Sequence, residues 1–103
     1  MTKYRFSEGT IYVPEGVEEI EDEAFVFRDD ITRVCLPSTV RRIGRSAFQE
    51  CTNLEEINYP EALEEIDEAA FCNCMSLPTP QLPDTVRIGL GAFHNTGIPD
   101  EFV

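Results

Sequence analysis

The sequence predicts a solenoid, a fold in which short parallel β-strands stack coil on coil along one axis. Three observations support this prediction: prolines recur every 23 residues, the same apolar columns follow each proline, and each copy contains an Ala-Phe pair. The prolines are Pro14, Pro37, Pro60 and Pro83. A repeat period in the twenties is typical of solenoids, whose units bury their apolar side chains only against neighbouring units.

Apolar columns run through all four copies and predict the interior. Three residues after the prolines stand Val17, Val40, Leu63 and Val86. The next column holds Ile20, Ile43, Ile66 and Ile88, the last one place early because the fourth copy has lost a residue. The Ala-Phe pairs are Ala24-Phe25, Ala47-Phe48, Ala70-Phe71 and Ala92-Phe93. We expect these side chains to meet their counterparts in the neighbouring coils.

Each unit closes with a segment whose last residues alternate between apolar and polar, as a strand with one buried face requires. These segments span 31–36, 54–59 and 77–82, and 11–13 is an incomplete first copy. Pro80 takes an inward position and removes a backbone donor, so we expect the last strand to be weakened or to lie at an edge. Glu21, Gly44, Asp67 and Gly89 precede the Ala-Phe pairs, and because Asp and Gly are acceptable helix N-caps, we expect one helical or 3₁₀ turn there.

These units resemble the leucine-rich repeats of the BspA-like type, whose unit reads Leu-x-x-Ile-x-Leu-Pro-x-x-Val-x-x-Ile-Gly-x-x-Ala-Phe-x-x-Cys. Residues 54–74 come closest to this pattern, and the match covers roughly 11–98. Arg28 departs from it, because it stands where a cysteine is expected. The resemblance implies a leucine-rich-repeat solenoid with short parallel β-strands on a concave face and short strands or 3₁₀/helical turns on the convex side.

The chain organisation that we predict is a single leucine-rich-repeat domain over residues 1–103. Residues 1–10 form an N-terminal cap, the repeats occupy about 11–98, and 99–103 form a C-terminal tail or cap. The opening residues lack the apolar core of a signal peptide, and no stretch is long enough to cross a membrane. We therefore expect a cytoplasmic location by default, and an extracellular one if the chain is a fragment of a surface protein.

Acidic residues dominate the composition, with 20 Asp and Glu against 8 Lys and Arg and a net charge of −12. Phosphate groups would repel such a chain, so we expect neither a nucleic-acid partner nor an anionic membrane. Charges alternate in sign between copies in three columns: Glu18, Arg41, Glu64, Arg87; Glu19, Arg42, Glu65; and Asp22, Arg45, Glu68. We expect these pairs to fix the order of the coils, and the alternative is an acidic docking face on the convex side.

Cysteines divide into interior and outward positions. Cys51 and Cys74 share one interior column, which favours small buried thiols and leaves a disulfide between them as the alternative. Cys35 takes an outward strand position, where it is either a tolerated surface thiol or a contact or crosslinking residue. Cys72-Asn-Cys74 with His94 as the sole histidine is too little for a zinc site, so we expect no metal.

Catalysis has no support in the sequence. His94 has no nucleophile motif beside it, and the pairs Glu55-Glu56 and Glu64-Glu65 are typical of solvated faces rather than of an acid–base site. Gly89-Leu-Gly91 is too short for a phosphate-binding loop. We therefore expect neither catalytic residues nor a cofactor, and we expect that the protein is not an enzyme.

A binding surface is predicted where the strands turn their side chains away from the core. Two columns form this concave face: Thr10, Arg33, Glu56, Thr79, and Tyr12, Cys35, Asn58, Gln81. Such a mixture of aromatic, charged and amide groups is common at protein-recognition surfaces. Proteins with BspA-like repeats are commonly adhesins or interaction proteins, so the resemblance implies that these eight residues bind a protein partner. The alternatives are self-assembly, as a homodimer through the terminal coils, and an excerpt of a larger cell-surface adhesin.

Overall fold

Two four-stranded sheets build the computed structural model, which describes residues 4–96. The first sheet has the order β1-β2-β4-β6 and the second has the order β3-β5-β7-β8. The strands are β1 Arg5–Ser7, β2 Thr10–Tyr12, β3 Glu19–Ile20, β4 Arg33–Cys35, β5 Arg42–Ile43, β6 Glu56–Ile57, β7 Glu65–Ile66 and β8 Arg87–Ile88. The first two coils, residues 14–36 and 37–59, therefore each contribute one short strand to each sheet, as in a leucine-rich-repeat solenoid.

Strand pairing between coils is parallel, with partners 23 residues apart, or 22 apart between β7 and β8. Thr10 lies beside Arg33, and Arg33 lies beside Glu56. The exception is β1, which pairs antiparallel with β2 through a two-residue turn at Glu8 and Gly9, where φ is 48° and 84°. This hairpin occupies the N-terminal edge of the first sheet. The division into cap, repeats and tail stays a prediction, and residues 1–3 and 97–103 lie outside the described part of the chain.

The third coil, residues 60–82, contributes no strand to the first sheet in the part of the chain that the structure describes. Segment 77–82 follows the path of the earlier strands, with Leu77 and Pro80 buried, but it makes no backbone hydrogen bond to β6. Pro78 and Pro80 have no N–H group to donate to such a ladder. The first sheet therefore ends at β6, as the expected weakening of the last strand by Pro80 implies.

The helical or 3₁₀ turn expected at the Ala-Phe pair is wrong for the described residues, where consecutive tight turns take its place. The Ala24 N–H donates to the Glu21 carbonyl at 3.1 Å, but the Glu23 N–H donates to Arg45 of the next coil at 2.8 Å. Glu23 has φ 61°, a left-handed conformation that interrupts a helix. Successive amides thus donate hydrogen bonds alternately within the coil and to the next coil. The second sheet confirms the short strands expected on the convex side.

A column of stacked phenylalanine rings forms the centre of the core. Phe25, Phe48, Phe71 and Phe93 follow one another with ring centroids 5.3 Å apart, and the last two rings are within 3° of parallel. Tyr4 packs on the first ring at 5.0 Å and covers that end of the column. Burial of each such side chain contributes roughly 2–3 kcal/mol, so this column is a main source of stability.

Arg42 joins the charged columns between the first three coils. Its guanidinium contacts Glu19, and it lies 3.1 Å from Asp22 and 2.6 Å from Asp67. A fourth carboxylate, that of Glu65, lies at 3.7 Å. The predicted cationic second coil is thus in place between two acidic ones. One column assignment was wrong, because Arg87 pairs with Glu65 rather than with Glu64 after the deletion in the fourth copy.

Candidate functional site

The concave face is the outward side of the first sheet, and its two columns are held in register by the parallel ladder. Tyr12 lies beside Cys35, just as Thr10, Arg33 and Glu56 lie side by side. Residues at alternate positions of a strand share a face, so these side chains point away from the buried Ile11 and Val34. The face is therefore built by strand geometry and needs no loop to form it.

The β1 hairpin adds Arg5 and Ser7 to this face, and sequence reasoning missed both. Arg5 pairs with Tyr12 and Ser7 pairs with Thr10. The signal that could have identified them is Glu8-Gly9, a dipeptide suited to a two-residue hairpin turn, between two alternating segments. The concave columns therefore begin one strand earlier than the repeat period indicates.

A cation–π pair and an ion pair lie on the N-terminal half of the face. The Arg5 guanidinium lies 4.4 Å from the centroid of the Tyr12 ring, a cation–π distance. Arg33 Nε donates to Glu56 Oε1 at 3.2 Å, with the two side chains 53% and 67% exposed. The aromatic ring and both arginines are accessible to a partner, because Tyr12 is 37% exposed and Arg5 and Arg33 are also exposed.

The other predicted site residues differ in what they offer to a partner. Thr10 is only 7% exposed, less than an outward strand position implies. Cys35 is half-buried. Asn58 is exposed, but its amide group accepts from the Leu36 N–H at 2.7 Å and donates to the Leu36 carbonyl at 2.8 Å. Its side chain is therefore committed to extending the strand ladder beyond β4.

Thr79 and Gln81 are exposed at the end of the face, outside any strand. They line a depression of about 270 Å³ between β6 and segment 77–82. A second depression, of about 370 Å³, lies over Cys35 and Asn58, and a third, of about 300 Å³, is lined by Tyr12 and other residues. The three adjoin along the face and give it a continuous uneven relief.

The interior cysteine column contains small buried thiols, as predicted from the sequence. Cys51 and Cys74 are fully buried and free, so the structure does not contain the alternative disulfide. Their thiols donate to the carbonyls of Phe25 at 3.2 Å and Phe48 at 2.9 Å, each one coil earlier. The adjacent Cys51 sulfur, together with burial, raises the pKa of Cys74 well above its ordinary value, which keeps this thiol protonated.

Arg28 occupies the cysteine position in the first coil, and its side chain lies at the surface rather than in the core. Its guanidinium donates to both carboxylate oxygens of Asp30, at 2.8 and 3.0 Å, and lies 5.3 Å from the Phe6 ring. Arg28 thus departs from the repeat pattern where the first coil contacts Phe6 of the N-terminal strand β1.

Metal-binding groups are scattered rather than clustered in the described part of the chain. Within residues 4–96, no three His, Cys, Asp or Glu side chains are arranged to hold a metal ion. His94 is exposed, whereas Cys74 is buried in the core. Over the same residues, no helix is long and apolar enough to span a membrane.

Comparison with protein families gives a match over almost the whole chain. The family model described as a BspA type leucine rich repeat region of six copies matches residues 3–99. A search of curated proteins found no significant match.

Solved leucine-rich repeat proteins share the fold. One from T. pallidum is 33% identical with a TM-score of 0.75, over 87% of this chain and 51% of its own length. One from Bacteroides ovatus is 27% identical with a TM-score of 0.71, over 92% of this chain and 32% of its own. The chain thus spans about half or less of these two proteins.

A third similar structure is a leucine rich cell surface protein from Faecalibacterium prausnitzii. It is 30% identical with a TM-score of 0.54, over 86% of this chain and 31% of its own length. Like the other two, it is a longer protein, of which this chain resembles one part.

Proposed function

The chain belongs to the BspA-type leucine-rich repeat family, and on that premise we propose that it binds a protein partner through its concave face. Leucine-rich repeats of this family are generally non-enzymatic and typically serve in protein interaction. We propose accordingly that this module has no chemistry of its own. Its biological effect would then come from the partner that it recruits or adheres to.

The observation that supports this proposal is the set of accessible side chains at the N-terminal half of the face. Tyr12, with Arg5 over its ring, lines the same depression as Arg33 on the next strand, and these residue types are enriched at the energetic centres of protein interfaces. These side chains serve no purpose in the core, because the strands turn them outward. We infer that Tyr12 and Arg33 are the centre of the contact and that Thr79 and Gln81 lie at its rim.

The convex side offers a partner less than the concave face does. Arg42 is surrounded by Glu19, Asp22, Glu65 and Asp67, which are already engaged with it. A partner that used these groups would have to break the ion pairs that hold the coils in order. This arrangement favours the structural interpretation of the charged columns over the acidic docking face.

The chain contains a matched pair of arginines with which to test the proposal. Arg33 on the concave face pairs with Glu56, and Arg41 on the convex side pairs with Glu64 at 2.7 Å. Their side chains are 53% and 56% exposed, and each partner carboxylate lies 23 residues further along the chain. Arg33→Glu and Arg41→Glu therefore change charge, exposure and pairing equally, and differ in the face that they alter.

In the experiment, biotinylated wild-type protein and both variants capture proteins from extracts and surface fractions of the source organism. Candidates are then purified, and their affinities are measured by biolayer interferometry. The proposal expects partners that bind the wild type and Arg41→Glu alike but lose affinity for Arg33→Glu and for Tyr12→Ala. Partners that lose affinity only for Arg41→Glu would contradict it, since the contact would then lie on the convex side.

Location is part of the same proposal, because it determines which partners are available. One structural relative is a leucine rich cell surface protein, and this chain spans 31% of that protein. As part of a longer surface protein, the module would act as one segment of an adhesin, whereas as a separate chain it is expected in the cytoplasm. Fractionation of cells with an antibody raised against the solenoid distinguishes these two settings.

A further inference from the structure

The fourth coil, residues 83–96, leaves uncovered some apolar side chains that the inner coils bury. Ile20, Ile43 and Ile66 have no exposed surface, but Ile88 in the same column is 37% exposed. Val86 ends a neighbouring column and is only half-buried. A further layer on this side would complete the burial of both side chains.

Leu90 adds an apolar side chain where the inner coils carry charge. Its column contains Asp22, Arg45 and Glu68, and the Ala69 N–H donates to the Leu90 carbonyl, as the Ser46 N–H donates to that of Glu68. Leu90 is 81% exposed. Next to it, β8 is the edge strand of the second sheet and pairs only with β7 within the described residues. Exposed apolar side chains beside an unpaired edge are typical of an association surface.

Charge at this end is suited to a second copy of an otherwise acidic chain. Residues 83–96 carry Asp84 and Arg87, so that their formal charges cancel, with His94 neutral. Residues 14–30 of the first coil carry eight acidic residues and one basic residue. Two copies of a chain with a net charge of −12 repel each other least where the local charge is zero.

The N-terminal end is a poorer match, because its exposed apolar side chains, Phe6 and Phe27, lie beside the acidic residues of the first coil. β1 pairs with β2, Tyr4 packs on Phe25, and Ile20 of the first coil is fully buried. A head-to-tail contact would place Ile88 and Leu90 against this acidic coil, and its carboxylates would then lose their solvation without gaining a cationic partner. The same fourth coil of a second copy is the matching surface, and such a contact is two-fold symmetric and closes at two subunits.

We propose that two copies of this chain associate through their fourth coils, with Ile88 and Leu90 of each copy in contact across a two-fold axis beside the β8 edges. Association in this manner leaves the concave face free, so it does not rest on the proposed function. It would present two concave faces to partners at once.

Leu90→Glu tests this contact, because the side chain is exposed and its replacement should not disturb folding. Phe27→Glu is the matched control: Phe27 is 70% exposed in the first coil, and Glu50 holds the equivalent position in the second coil with nearly the same φ, 64° against 63°. Both variants replace an exposed apolar residue by Glu. Sedimentation equilibrium over a concentration series, with reductant present to exclude a Cys35 crosslink, gives the mass of each protein.

The expected mass of the wild type rises with concentration from 11.7 kDa to twice that value and stops there. Leu90→Glu should raise the dissociation constant of the dimer about tenfold or more, and Phe27→Glu should leave it unchanged. A wild type that stays monomeric up to about 1 mM would overturn the proposal. So would a dimer that both variants weaken equally, or a series of assemblies that grows beyond two subunits.

Discussion

Replacement of Arg42 by methionine should destabilise the solenoid more than any other loss of a single surface charge. The guanidinium forms ion pairs with Glu19, Asp22 and Asp67, and it also lies 3.7 Å from Glu65. Exposed ion pairs contribute about 0–1 kcal/mol each, but here four carboxylates, two from the first coil and two from the third, would be left facing one another. Since the Arg42 side chain is only 29% exposed, we expect the free energy of unfolding to fall by about 2–3 kcal/mol.

Arg41→Met is the control for this experiment, because it removes the neighbouring arginine and leaves one carboxylate, that of Glu64, without its partner. The free energy of unfolding is measured for both variants by urea denaturation at low and at high salt. Arg42→Met should be the less stable variant at low salt, and salt should narrow the difference by screening the repulsion between carboxylates. Equal stabilities of the two variants at low salt would refute the view that Arg42 holds the coils in order.

Acid should act on the same network. The Glu68 N–H and then the Arg42 guanidinium lower the pKa of Asp67 below its ordinary value of 3.8. A carboxylate with a lowered pKa in the folded state stabilises the fold above its unfolded pKa and loses that contribution as the pH falls through the folded value. The wild type should therefore lose stability below about pH 4, and Arg42→Met should lose less over that interval. An identical acid-side slope in the two proteins would count against this explanation.

Three further changes address the packing and the turns. Phe71→Ala leaves a cavity in the middle of the stacked column and should cost about 3–5 kcal/mol by urea denaturation; a cost near that of an exposed site would contradict the stacking. Gly44→Ala places a Cβ 2.7 Å from the Ile20 carbonyl oxygen, so its melting temperature should fall, and an unchanged value would mean that the coils can separate locally. Phe27→Asn should stabilise by about 1 kcal/mol, because Asn tolerates the left-handed conformation that Phe27 adopts, as Asn73 does; a loss of stability would contradict that reasoning.

The spacing of the prolines was sufficient to predict the solenoid, the interior columns and the concave register. A fixed period places equivalent residues side by side in every coil, which is why Thr10, Arg33 and Glu56 align as expected. The same logic failed where the period breaks. One deleted residue moved Arg87 into the column of Glu65, and the repeat gave no information about β1, which is antiparallel and lies outside it.

The turns at the Ala-Phe pairs could not be predicted from local preference alone. A helix N-cap and a good helix former favour a helical turn, but the amides there bond in alternation to the next coil, and this requires left-handed residues at Glu23, Ser46 and Ala69. For the candidate site, the strand pattern predicted which face each side chain lies on but not which side chains form hydrogen bonds within the protein. The bonds between Asn58 and Leu36 depend on how two coils meet, which no single unit of the sequence specifies.

Hydrogen exchange of the solenoid with and without a purified binding partner shows which face the partner covers. We propose that the concave face binds a protein while the convex side holds the coils in order. On this account, added protection falls on β2, β4 and β6 and on the β1 hairpin, and the amides of β3, β5 and β7 exchange at unchanged rates. Protection confined to β3, β5 and β7 would place the partner on the convex side and contradict the account.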